Sequence, residues 1–166
     1  MYEEIFSENE MLQFQNNLRE NNKTVTTAES CTGGLISSMI TEISGSSQIF
    51  NGSIVTYCNE IKEQELGVNK NTMIKFGVVS CEVVEEMLLG VLKKFKSDFA
   101  IAVSGVAGPN GGTKDKPVGT VAIGVMSNNG IKNIQLFHFK GDRKQVQIQA
   151  AKTALKLNFE ISFKNP

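Results

Sequence analysis

The sequence predicts a three-layer α/β/α sandwich on a mixed, mostly parallel central sheet. Three observations point there. Strand-like and helix-like segments alternate through the first hundred residues. Asp98–Ser104 is a nearly continuous apolar run, the mark of a strand buried on both faces. A late pair of strand-like segments is joined by SNNG (Ser127–Gly130), which brings in antiparallel pairing.

The elements follow in order. Met11, Phe14 and Leu18 mark an opening helix. Thr24–Ala28, rich in threonine with a valine, reads as a strand. Ile36, Met39, Ile40 and Ile43 fall on one face of a second helix, which SGSS (Ser44–Ser47) ends. The pair Gly33–Gly34 falls in its expected first turn, at a cost of roughly 1 kcal/mol each relative to alanine. Gly52–Cys58 reads as a second strand, and Asn59–Leu66 as a short helix stopped by Gly67. Val84, Met87, Leu88, Val91, Leu92 and Phe95 form the clearest helical stripe, with Ser80 as N-cap. A glycine-rich loop, Gly105–Pro117, follows the buried run. Val118–Met126 and Ile131–Lys140 are the hairpin strands. Asp142 and Gln145 form a capping box for a last helix with Val146, Ala150, Ala154 and Leu157 on one face.

Composition narrows the function. At 166 residues the chain suits one domain, residues 1–166. Seventeen basic and seventeen acidic side chains cancel, so no long-range field steers nucleic acid or an anionic membrane, and any anion must be held locally. The start is acidic, without a signal pattern, and the longest apolar run is too short for a bilayer. Cys31, Cys58 and Cys81 are odd in number and not in C-x-x-C spacing. They fit a reducing cytoplasm rather than a disulfide framework, and no metal-site spacing is present. No cofactor is expected.

Three loops at strand ends compete for the site. The first holds Ser30, between a strand and a glycine-bearing helix start where backbone N–H groups favour negative charge. An N-cap is its ordinary alternative role. Neither G-x-S-x-G nor S-x-x-K surrounds it. The single histidine, His138, sits in a strand-like run without a carboxylate partner, so a base for Ser30 is sought among lysines. The second loop carries Tyr57 and, just beyond it, Lys62; a lysine serves as a base near neutral pH only when burial or a nearby cation lowers its pKa. An exposed lysine is the ordinary alternative. The third is the glycine loop, which fits neither the P-loop nor the dinucleotide pattern. Arg143 is either a surface residue or a phosphate clamp. Cys31 is the rival nucleophile.

TAESCTGG (Thr27–Gly34), VTYCNEIK (Val55–Lys62), GVAGPNGG (Gly105–Gly112) and FKGDR (Phe139–Arg143), in that order, resemble the CinA C-terminal domain family over about residues 8–158. The resemblance implies the α/β/α fold and an amidase that hydrolyses the carboxamide of nicotinamide mononucleotide. Ser30, Tyr57 and Lys62 would be catalytic. The glycine loop and Arg143 would help hold the nucleotide. The substrate-binding set expected is Thr32, Gly33, Gly34, Ser104, Gly105, Ala107, Gly108 and Arg143, with backbone N–H groups of Thr32–Gly34 as the oxyanion hole. Two positions depart from the family pattern: Ser104 stands for a frequent threonine, and Gln147 for a frequent arginine, which removes a positive charge near the expected phosphate. The resemblance does not reach the N-terminal domain of full-length members, so that domain's pyrophosphatase-type activity is not expected. The partners expected are a small-molecule nucleotide and a second copy of the chain as a dimer, with neither nucleic acid nor membrane. A nucleotide-binding regulator without turnover is the alternative function.

Overall fold

A computed structural model describes all 166 residues. Helix α1 is Glu8–Glu20, followed by strand β1 (Val25–Glu29), helix α2 (Leu35–Thr41), a 3₁₀ turn at Ser46–Gln48, and strand β2 (Phe50–Val55). Helices α3 (Asn59–Leu66), α4 (Lys70–Phe76) and α5 (Cys81–Phe95) come next. Strands β3 (Phe99–Gly105), β4 (Thr120–Ser127) and β5 (Lys132–His138) and helix α6 (Arg143–Lys164) complete the chain.

The five strands lie in the order β2-β1-β3-β4-β5. β1 pairs parallel with β2 and β3, while β4 is antiparallel to β3 and β5, so four strands run one way and β4 opposes them. One face packs against α1, α2 and α6 through Phe14, Ile36, Ile101, Val103, Ile123 and Ala150. The other packs against α3, α4 and α5 through Ala28, Ala100, Ala102, Ala122, Leu66, Met73 and Leu88. Small residues on that second face let α5 lie close: a Cβ on Gly124 would come within 2.7 Å of Val84 and 2.8 Å of Leu88. Each Leu, Ile, Val, Met or Phe side chain buried in these layers contributes roughly 1.5–3 kcal/mol, and each alanine less.

Local sequence explains the boundaries. Ser7 with Glu10, and Asp142 with Gln145, form capping boxes on α1 and α6. Ser80 caps α5 through the Val83 N–H. Gly67 closes α3 with a left-handed φ of 69°.

Three segments differ from the sequence expectation. β2 spans Phe50–Val55, so Tyr57 lies in a loop, not a strand. α4 is an added helix with Met73 as its one buried residue. α2 starts at Leu35, after a turn in which Gly33 and Gly34 have φ of 60° and 100°. The glycine pair is there because the turn needs left-handed backbone, which L side chains resist. It costs the helix nothing.

The strand order places the site. From β1 the chain crosses on one face to β2; it then returns on the opposite face, through α5, to β3 on the other side of β1. Ligands in open α/β sheets bind where the order reverses, beyond the carboxyl ends of the strands. Glu29 is level with Val55 and Val103 in register, so the loops leaving β1, β2 and β3 emerge side by side.

Candidate active site

Ser30 is the first residue after β1 and is buried. Its N–H donates to Val103 O at 3.2 Å, and its C=O accepts the Gly33 N–H at 3.0 Å. It does not cap α2. The N–H groups of Ile36 and Ser37, the first orphan donors of that helix, go to the Glu29 carboxylate at 2.9 and 3.0 Å. The helix terminus is thus satisfied by Glu29 and is not directed at Ser30.

Glu29, outside the set of residues expected at the site, is fully buried. Thr32 Oγ1 donates to its Oε1 at 2.8 Å, and Ser37 Oγ donates to its Oε2. One carboxylate therefore ties β1, the nucleophile turn and the start of α2 together. Glu29→Ala would strand several buried donors, at about 1–3 kcal/mol each. The expected result is a loss of at least about 3 kcal/mol in urea-unfolding stability; a loss under about 1 kcal/mol would refute the clamp.

Lys62 approaches Ser30 from α3. Only Lys62 and Leu66, one turn apart, are buried on that helix. A Cβ on Gly90 of α5 would come within 2.1 Å of Leu66 O, so the end of α3 rests directly on α5 and carries Lys62 inward. Lys62 Nζ lies 3.2 Å from Ser30 Oγ and donates to Thr56 O at 2.7 Å. The side chain is 1 % exposed and makes no salt bridge. Burial without a carboxylate holds its pKa below the ordinary lysine value. A neutral amine that donates to Thr56 O keeps a lone pair for the Ser30 hydroxyl proton.

A cavity of about 290 Å³ opens beside Ser30. Ser30, Tyr57, Gly105, Ala107, Gly108 and Arg143, all selected from sequence, line it. Cys31, Val106, Asn110 and Gly111 line it as well. Val106, Asn110 and Gly111 fall within the glycine loop that composition had marked, although none of the three was chosen individually. Arg143 crosses the cavity: Nη1 donates to Gly108 O and Nη2 to the Tyr57 hydroxyl, each at 2.7 Å. Tyr57 is 59 % exposed, and its hydroxyl is joined to Arg143 rather than to Ser30 or Lys62. The backbone N–H groups of Cys31, Thr32, Ala107, Gly108, Asn110 and Gly111 have no protein acceptor, which leaves a set of free donors around the serine and along the loop.

Four expected binding residues lie elsewhere. Thr32 is buried with its hydroxyl on Glu29. Ser104 is buried and donates to Val78 O at 3.0 Å. Gly33 and Gly34 form the turn, and the Gly33 N–H is spent on Ser30 O. None of the four lines the cavity: the Thr32 and Ser104 hydroxyls and the Gly33 N–H are taken by internal partners. Gln147, expected near a phosphate, instead donates through Nε2 to Cys31 O at 3.0 Å. His138 is exposed on β5, outside the cavity, with Nδ1 3.4 Å from Thr120 Oγ1. Burial pushes the Cys31 thiol up to about 12, which suppresses the thiolate the rival mechanism needs. A larger cleft of about 440 Å³ lies between the N-terminal segment, α1, α2 and α6, but it contains no such nucleophile–base pair. No group of three His, Cys, Asp or Glu side chains is arranged to hold a metal ion, and no helix is long and apolar enough to cross a membrane.

These features define a class: an α/β/α domain with a buried serine–lysine pair at a switch point of its sheet, facing a cavity with an arginine and free backbone donors. The chain belongs to the CinA C-terminal domain family, whose model matches residues 8–161. It is 55% identical over 130 residues to a CinA-like protein of Fervidobacterium nodosum, covering 78% of this chain and 32% of that protein. It is 47% identical over 140 residues to a CinA-like protein of Syntrophomonas wolfei, covering 84% and 33%. The chain spans about a third of the length of these curated relatives. Among solved structures, the competence/damage inducible protein CihA from Agrobacterium tumefaciens superposes with a TM-score of 0.87 at 36% identity, covering 89% of this chain and 90% of that one. A competence-damaged protein (CinA) superfamily protein from Klebsiella pneumoniae gives 0.89 at 31% identity, covering 94% and 97%.

Proposed function

We propose that the protein is an amidase that converts nicotinamide mononucleotide to nicotinic acid mononucleotide and ammonia. The observation that carries this reading is the 3.2 Å approach of a buried, salt-bridge-free Lys62 Nζ to Ser30 Oγ. A general base within hydrogen-bond reach of a hydroxyl is the minimum unit of a serine acyl-transfer site.

The steps follow from that unit. Lys62 takes the Ser30 proton as Oγ attacks the carboxamide carbon. Negative charge builds on the carboxamide oxygen, and the free N–H groups of Cys31 and Thr32 are the nearest backbone donors in sequence. The protonated Lys62 gives its proton to the leaving nitrogen, ammonia departs, and a nicotinoyl ester remains on Ser30. Water, deprotonated by the same lysine, attacks the ester; the lysine returns that proton to the departing Ser30 Oγ, and the acid is released. Arg143 and the glycine-loop N–H groups match a phosphate in charge and donor type. Tyr57 holds the Arg143 guanidinium across the cavity, a role distinct from proton relay, because Lys62 meets Ser30 directly.

Purified protein, without added metal, is expected to release ammonia from nicotinamide mononucleotide with a kcat within the usual 1–10³ s⁻¹ range. Correctly folded protein that binds this nucleotide without releasing ammonia would overturn the amidase reading in favour of a nucleotide-binding regulator.

A further inference from the structure

Helix α6 reaches the site at two points one turn apart. Arg143 holds the far wall, and Gln147 holds the turn that carries the nucleophile. We infer that Gln147 is a positioning residue whose amide fixes the Cys31–Thr32 peptide unit and so sets the direction of the Thr32 N–H, two residues from the Ser30 nucleophile.

In a trans peptide unit the C=O and the following N–H are coplanar and point in opposite directions. Fixing one fixes the other. The Ser30 C=O accepts the Gly33 N–H, which sets the direction of the Cys31 N–H. The Cys31 C=O accepts Gln147 Nε2 at 3.0 Å, which sets the direction of the Thr32 N–H. Both N–H groups are left without a protein acceptor. The turn is thus held by its carbonyls while its donors stay free, the arrangement required of groups that stabilise charge formed only during reaction. The Cys31 carbonyl has no other protein partner, and Gln147 reaches it across 116 residues of sequence. The side chain is half-buried and does not line the cavity, so it acts through the turn rather than on the substrate.

The kinetic arm of the test rests on the amidase reading; the exchange arm does not. Gln147→Ala is expected to lower kcat about 10–100-fold with KM within about threefold of wild type, as expected when a reacting geometry is loosened but ground-state binding is kept. Gln147→Arg, which restores N–H donors, is expected to recover kcat to within about threefold of wild type. By hydrogen exchange, the Gly33 amide, the one N–H of residues 31–34 with a protein acceptor, should exchange about tenfold faster in Gln147→Ala and return towards wild type in Gln147→Arg, while the melting temperature stays within a few degrees. A raised KM with unchanged kcat would overturn the inference and make Gln147 a substrate contact. Unchanged exchange at the Gly33 amide of Gln147→Ala would overturn it whether or not the wild type turns over. A wild type without amidase activity, combined with faster, arginine-rescued exchange, would sink the amidase reading and leave the positioning role standing.

Discussion

Ser30→Ala lowers kcat for ammonia release by about 10⁴–10⁶-fold, the scale seen when the nucleophile of an acyl-transfer site is removed, whereas Cys31→Ala stays within about tenfold of wild type. The two residues are adjacent, and both line the cavity, so position alone does not separate them. Ionisation and pairing do. Ser30 has an amine 3.2 Å from its Oγ, ready to take its proton during attack. Cys31 needs to exist as thiolate, and burial pushes its thiol up to about 12. Near neutral pH that leaves well under one thiolate in about 10⁴. Ser30→Ala should also leave the fold intact, because Lys62 keeps its bond to Thr56 O. A melting curve close to wild type, with activity gone, separates lost chemistry from lost structure. The reverse outcome, an active Ser30→Ala beside an inactive Cys31→Ala, would remove the serine mechanism.

Most of the fold is legible in the sequence because it is written in periodicity and caps. The stripe from Val84 to Phe95, the apolar run into β3 and the capping box at Asp142 each have one physical reading, and the structure agrees with it. α4 is not legible, since a seven-residue helix with one buried side chain leaves no periodic signal. The glycine pair misleads for a different reason: propensity assumes a helical backbone, and both residues have left-handed φ in a turn. The candidate site divides the same way. Ser30 and Lys62 lie 32 residues apart, and no local pattern encodes the distance between their side chains. Residue frequencies favour an exposed lysine, yet the Lys62–Leu66 spacing is the buried face of α3 and was available to reading. Thr32 and Ser104 carry hydroxyls suited to a ligand, but an internal carboxylate and a carbonyl take them. Glu29 escaped notice because a strand expected to end at Ala28 gives no reason to bury the carboxylate that follows.

Lys62→Met should abolish activity and also change how stability depends on pH. The first effect is the loss of the base, with kcat falling by at least about 10³-fold. In the wild type, kcat/KM should rise with pH through an ionisation below the free lysine value of about 10.4, because the neutral amine is the active form and burial lowers its pKa. The second effect needs no substrate. The folded protein releases the Lys62 proton at lower pH than the unfolded chain does. Between those two pKa values the unfolded state binds more protons, so stability rises with pH, by at most about 1.4 kcal/mol per pH unit for one group. Below the window both states hold the proton, and burial of the charge penalises folding in full; above about pH 10.4 both have lost it and the penalty is gone. Methionine cannot titrate. The wild type should therefore gain stability relative to Lys62→Met as pH climbs towards about 10.4, whatever the constant offset from leaving Thr56 O without its donor. Urea unfolding of both proteins across that range measures the difference directly. A difference that stays flat would mean that folding leaves the Lys62 pKa where the unfolded chain has it, and a lysine still charged at neutral pH has no lone pair with which to take the Ser30 proton.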